Sequence, residues 1–255
     1  MDSAFAALHR PGEPFLLPNA WDVASAALLV DAGFRAVGTT SLGVAASAGL
    51  PDAAGATRTQ TLELARRMVQ LPALVTVDIE AGFSDDPGQV AELVAELHGY
   101  GVVGINIEDG RGDTLAPVAA QTRLIAAVRA AAPGVYVNAR TDTYWLRPHR
   151  TLAETVTRLA AYRDAGADGV FVPGLSVGSE IEAVVRAAGL PVNVLADRPL
   201  AELANLGVAR VSCGSLLYRR ALGEAVATAR ALADGGAPPT GAPSYPEIAS
   251  LVADG

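Results

Sequence analysis

Short apolar runs alternate with longer amphipathic ones along this chain. The short runs cover residues 15–19, 34–40, 74–78, 102–107, 135–139, 169–173, 191–195 and 209–213. They are rich in Val, Ile, Leu and small residues, as fully buried parallel strands are. Between them lie segments whose apolar residues recur at helical spacing: Leu62, Ala65, Met68 and Val69 in 57–70, Val90, Leu93, Val94 and Leu97 after Pro87, and Leu124, Ile125 and Val128 in 117–132. Asp22 heads a helix that Gly33 ends, and Thr151 with Glu154 has capping-box spacing for a helix ending near Gly166. Further helices are predicted over 181–188, 199–206 and 215–232. The segment 41–56 is rich in small residues without a clear period and reads as a long loop.

Each connection is long enough for a crossover helix, so the strands are expected to be parallel. About eight β/α units in a chain of 255 residues predict an α/β fold of the TIM-type (β/α)8 barrel, with residues 1–234 as the barrel domain. Residues 235–246 form a Gly/Pro-rich linker, and 235–255 a C-terminal tail. A doubly wound open sheet is the alternative, but no G-x-G-x-x-G follows the first strand.

The chain is 51% hydrophobic and 18% charged, with a net charge of −8. No basic stripe offsets that charge, which argues against a nucleic-acid partner. Cys213 is the only cysteine, so no intrachain disulfide can form. No apolar run approaches the roughly 18 residues of a membrane span, and no signal pattern opens the chain. A soluble cytoplasmic protein without a membrane partner is expected.

In such a barrel, chemistry sits at the C-terminal strand ends. Asp78, Glu80, Glu108 and Asp109 gather at the ends of the third and fourth strands, with Arg140 on the next one and Asp142 two residues on. Acids this close repel unless a cation or a proton relieves them. Oxygen ligands without nearby His or Cys favour Mg²⁺, or Mn²⁺, over zinc. Arg140 offers a fork for a carboxylate or phosphate. A metal beside bound oxo-acid oxygens would stabilise an enolate. Each residue also has a plainer reading: one acid can cap a helix, Arg140 can pair with Asp142, and Cys213 can be a small core residue. His9, His98 and His149 form no triad with any serine.

These residues resemble the isocitrate lyase and phosphoenolpyruvate mutase superfamily. The resemblance spans about residues 14–233. It rests on Asn19-Ala20-Trp21-Asp22, Thr40-Ser41-Leu42-Gly43 leading to Asp52, Asp78-x-Glu80-x-Gly82-Phe83, Ile107-Glu108-Asp109, Asn138-Ala139-Arg140 and Val172-Pro173-Gly174-Leu175. It implies a Mg²⁺ site of Asp78 with Glu80, Glu108 and Asp52, some through water. It further implies that Thr40, Ser41 and Leu42 hold an oxo-acid carboxylate, and that Arg140 is catalytic and substrate-binding. Trp21 and Asn193, at other strand ends, complete the candidate substrate contacts. A homo-oligomer, dimer or tetramer, with the last helix packed on or swapped to a neighbouring barrel, is also implied.

The chain departs from the superfamily's isocitrate and methylisocitrate lyases in one loop. They carry a cysteine loop after the strand-four acids, whereas residues 110–117 read Gly-Arg-Gly-Asp-Thr-Leu-Ala-Pro. A Lys-bearing gating loop, as in the phosphonopyruvate enzymes, is not evident either. The expected activity is therefore a Mg²⁺-dependent lyase that makes or breaks a C–C bond of a small 2-oxo or 2-hydroxy di- or tricarboxylate through a metal-stabilised enolate. Oxaloacetate decarboxylase-like and substituted-malate or methylisocitrate lyase-like reactions are both compatible with that reading. C–P chemistry on a phosphonopyruvate-like substrate, or oxo-acid binding without turnover, are the alternatives. Arg111 and Asp113 are the acid/base candidates on that loop.

Overall fold

The structure is a computed structural model describing residues 4–146 and 151–253; His149 lies outside them. Strands β1 (Phe15–Leu17) and β2 (Asn19–Ala20) flank Pro18. Then follow β3 (Ala36–Thr39), β4 (Leu74–Asp78), β5 (Gly104–Glu108), β8 (Tyr136–Arg140), β9 (Gly169–Phe171), β10 (Val192–Leu195) and β11 (Arg210–Ser212). A small antiparallel hairpin, β6 (Gly110–Arg111) with β7 (Thr114–Leu115), interrupts the series.

The long sheet is parallel throughout, in the order β1-β11-β10-β9-β8-β5-β4-β3-β2. Its two ends are one stretch of chain. Pro18 has no N–H for a ladder, and there the chain changes partners. The Leu17 carbonyl accepts from Cys213 N on the last-strand side, and the Pro18 carbonyl accepts from Gly38 N on the other. The nine segments thus close as eight barrel strands.

Helices surround the barrel: α1 (Val23–Asp31), α3 (Arg58–Met68), α4 (Pro87–Tyr100), α5 (Val118–Ala131), α6 (Leu152–Asp164), α7 (Gly178–Ala188) and α8 (Leu200–Asn205). Their starts follow the sequence signals. Ser25 N donates to Asp22 Oδ1 at 2.7 Å, within a capping box. Gly88 N donates to Asp86 Oδ1 at 2.7 Å, with Pro87 in the first turn. Glu154 N donates to Thr151 Oγ1 at 3.2 Å. The core lies between helices and sheet, where Met68, Val77, Leu93, Leu97, Ile105, Ile107 and Ile125 are buried. Each such side chain contributes roughly 1.5–3 kcal/mol by leaving water.

Two sequence expectations change. Residues 41–56 are not all loop, because Ser41–Ser47 forms α2. Its two turns, Ser-Leu-Gly-Val-Ala-Ala-Ser, are too short and too rich in small residues to give a readable apolar period. Gly43 is required there, since a Cβ would lie 2.6 Å from Trp21 Cβ. The presumed linker is also shorter than 235–246. After α9 (Leu216–Ala233), helix α10 (Tyr245–Ala253) begins with Tyr245 and packs on α1. No helix among the described residues is long and apolar enough to cross a membrane.

Aromatic rings plug the N-terminal end of the barrel. The His9 ring stacks on Tyr136 at 4.0 Å, with Phe5 and Phe15 edge-on. Burial, and the Arg210 charge after it, push His9 down to about 3, so it is a neutral core ring.

Candidate active site

The strand C-termini open into a cavity of about 360 Å³. Asp78 ends β4, Asn106 and Glu108 lie on β5, and Arg140 ends β8; all four line it. Thr40, Ser41 and Leu42, where α2 starts, form another wall, with Asp52 beyond them. Phe171, Leu146 and Trp145 contribute apolar surface.

The cavity holds more negative than positive charge. Arg140 Nη1 lies 2.7 Å from Glu108 Oε2, and its Nε donates to Asp142 Oδ1 at 2.6 Å. Its guanidinium also stands 5.8 Å from the Phe171 ring centroid. Burial pushes Asp78 up to about 6, although Arg140 pulls it down; the Asp52 and Glu80 charges add to the rise. Burial pushes Glu108 up to about 8, against Arg140 and helped by Asp142 and Asp78. Asp142 is raised too, again chiefly by burial. One guanidinium does not balance three desolvated carboxylates.

A hard divalent cation fits this deficit. The donor set is oxygen only. Among the described residues, no three His, Cys, Asp or Glu side chains form a preformed cage. Mg²⁺ suits that, since it binds through one or two carboxylates and otherwise takes water and substrate oxygens.

The four predicted metal residues occupy different places. Asp78, Glu108 and Asp52 are on the cavity wall. Glu80 is buried beside it, where its carboxylate accepts from Gly55 N at 2.9 Å and Thr57 Oγ1 at 2.6 Å. Glu80, Ala53 and Phe83 all have positive φ, at 50°, 54° and 56°. Glu80 thus ties down the strained turn that follows Asp52. Asp109 faces away from the cavity. Its carboxylate accepts from Thr141 Oγ1 (2.8 Å), Asp142 N (2.8 Å), Tyr162 Oη (2.5 Å) and Arg158 Nη1 (3.2 Å).

The predicted substrate residues divide in the same way. Thr40, Ser41, Leu42 and Arg140 line the cavity. Trp21 does not; it packs edge-on against Tyr218 at 5.4 Å and covers Gly43. Asn193 is buried, and its Oδ1 accepts from Ser212 Oγ at 3.1 Å. Arg111 turns back on its own hairpin, donating to Glu108 O and Gly110 O at 3.1 and 2.8 Å and to Asp85. Gly110 and Gly112, rather than Arg111 or Asp113, face the cavity. A Cβ at residue 110 would run into the Asp142 carboxylate, so the close passage needs glycine. Cys213 lines the cavity, and burial raises its thiol pKa, which disfavours thiolate.

Sequence reasoning missed Asn106. Its signal was available: it precedes Glu108 by two, so both side chains leave β5 on one face.

Known proteins match this architecture. The family model of phosphoenolpyruvate phosphomutase covers residues 5–233. An uncharacterised protein of Mycobacterium tuberculosis is 45% identical, over 98% of this chain and 96% of its own. The 2-methylisocitrate lyase of Bacillus subtilis is 31% identical over 71% of this chain, an alignment spanning 62% of the lyase. A solved phosphonopyruvate hydrolase in complex with oxalate and Mg²⁺ superposes with a TM-score of 0.85 at 26% identity, covering 98% of this chain and 94% of that one. The chain belongs to the phosphoenolpyruvate phosphomutase family, within the superfamily that includes isocitrate lyase.

Proposed function

We propose that the protein is a Mg²⁺-dependent lyase acting on a C–C bond of a small 2-oxo or 2-hydroxy di- or tricarboxylate. The observation that carries this reading is the charge deficit: Asp78, Glu108 and Asp142 are all raised by burial, and Glu108 and Asp142 share the guanidinium of Arg140 as their ion-pair partner. In this reading Asp78 holds the ion directly, and Asp52 and Glu108 hold it through water. A bound Mg²⁺ would supply positive charge opposite the enolate that develops from the substrate.

The chain's own residues do the rest. Arg140 is locked by Glu108 through Nη1 and by Asp142 through Nε, so its Nη2 meets the substrate without reorganising. Thr40, Ser41 and Leu42 fix the oxo-acid carboxylate. Trp145, Leu146 and Phe171 keep water from the developing carbanion. Glu80 acts indirectly, by fixing the turn next to Asp52. Trp21 and Asn193 support the walls rather than touch substrate.

A second reading, C–P chemistry on a phosphonopyruvate-like substrate, draws on the likeness to phosphonopyruvate hydrolase. The hairpin gives it little, because Arg111 is spent on backbone carbonyls. Assembly as a homo-oligomer, dimer or tetramer, is part of the proposal. Leu222 and Val226, one turn apart on α9, are each 51% exposed and offer an apolar face to a second copy.

The test is turnover with Mg²⁺ of oxaloacetate, methylisocitrate, dimethylmalate and phosphonopyruvate, each alone, following pyruvate and phosphate. Pyruvate from a carbon substrate without phosphate is the expected result. Turnover of phosphonopyruvate alone supports the second reading, and oxo-acid binding without turnover contradicts both.

A further inference from the structure

Arg210 lies wholly inside the barrel, below the cavity floor, with no exposed surface. Its Nε donates to Ser212 Oγ and its Nη2 to Asn106 Oδ1, both at 3.2 Å, and its Nη1 has no partner. Among the described residues its hydrogen-bond partners are a hydroxyl and an amide, not a carboxylate. Burial lowers its pKa to about 10, so the group is still a cation at neutral pH. A buried cation with no carboxylate in hydrogen-bond contact is costly even with the Asp78 charge nearby, and an apolar replacement of similar length is often neutral or stabilising. Its presence is best explained by what it does to its neighbours.

A guanidinium only donates. The atom of Asn106 that meets it must therefore be the oxygen. Asn138 approaches the same oxygen at 2.9 Å, so it too must donate, through Nδ2. Arg210 thereby fixes two amide orientations at once. With Asn106 Oδ1 turned down to these two donors, its Nδ2 is the end left for the cavity. The position suits a ligand oxygen: Asn106 lines the cavity, pairs in register with Asp78, and precedes Glu108 by two on the same face.

We propose that Asn106 is a further substrate-binding residue, donating from Nδ2 to a carboxylate or enolate oxygen beside Asp78, and that Arg210 is its positioning residue. The proposal rests on the oxo-acid reading of the site. It explains how a floor made largely of acids presents a neutral donor to an anionic substrate. It also gives the buried cation a second effect, since its charge partly offsets the carboxylates from beneath.

The test is calorimetric titration of oxalate into the Mg²⁺-loaded protein, with thermal unfolding of each variant alongside. Asn106→Leu should weaken oxalate binding about tenfold or more, the loss of a hydrogen bond to a charged group. Arg210→Met, which leaves Asn106 in place, should weaken it at least about threefold while the unfolding temperature holds or rises. Arg210→Lys should recover part of the affinity. A merely structural Arg210 would do the reverse: Arg210→Met would lower the unfolding temperature and leave oxalate affinity within about twofold. That result, unchanged affinity in both Asn106→Leu and Arg210→Met, or no oxalate binding by the parent protein would overturn the proposal. Binding is read without turnover. A protein that binds oxalate through Asn106 but cleaves no substrate would sink the lyase reading and leave this one standing.

Discussion

Glu108 and Asp109 leave the end of β5 on opposite sides. Glu108 turns into the barrel mouth, where it shares the Arg140 guanidinium with Asp142, and burial raises it to about 8. Asp109 turns outward and is met by two hydroxyls, a backbone amide and a guanidinium. Asp78, the last residue of β4, and Glu80 just beyond it repeat the division. Asp78 faces the cavity, while Glu80 is saturated by Gly55 and Thr57. Four acids that look equivalent in sequence are thus two pairs. The outward pair is satisfied by protein and holds the scaffold; the inward pair faces the cavity with fewer protein partners, and the proposed function assigns it the metal.

Substitutions can break this division. The largest expected effect is at Asp78. Asp78→Ala should reduce Mg²⁺-dependent turnover by about a thousandfold or more, the share of a barrier that a metal typically supplies. Thermal stability should hold, because a carboxylate crowded by acids is removed. Asp109→Ala should do the opposite. It strands Arg158 and Tyr162 in the interior, and denaturant titration should show a loss of about 3 kcal/mol. Glu80→Gln is milder. The turn at 53–57 keeps a neutral acceptor, so a loss of about 1 kcal/mol and a few-fold weaker Mg²⁺ affinity by calorimetry are expected.

The smallest effect is on pH dependence. Unfolded carboxyls titrate near 4, whereas the folded protein holds the Asp78 and Glu108 protons to about 6 and about 8. Their proton-linked stability is present at low pH and is lost as pH rises through those values. His9, depressed to about 3, has the opposite dependence, but its stability is lost only as pH falls below about 6.5. Between about pH 6.5 and 9 the metal-free protein should therefore become less stable as pH rises, chiefly through Glu108. Saturating Mg²⁺ should flatten that slope in a denaturant series, because the ion replaces the protons.

Much of the fold was legible in the sequence. Strand runs, caps such as Asp22, Asp86 and Thr151, and the spacing of units pointed to the barrel. The helix at Ser41–Ser47 was hidden, since small residues carry no apolar period and its packing depends on Trp21 from another element. The site was half legible. Composition marked the strand ends as acidic, but not which acids face inward. That depends on strand alternation at Glu108 and Asp109, and on the left-handed backbone at Glu80. Trp21 belongs to a matching motif and Asn193 sits at a strand end, yet neither lines the cavity. Arg158 and Tyr162, which neutralise Asp109, lie 49 and 53 residues away from it and carried no sequence signal.

The central claim is that the inward pair, led by Asp78, takes the metal. Crystals grown with Mn²⁺ and oxalate and measured for anomalous scattering would test it most directly. The account predicts one peak in direct contact with an Asp78 carboxylate oxygen, with oxalate between it and Arg140. A peak at Glu80 or Asp109, or ordered oxalate with no metal beside Asp78, would contradict it.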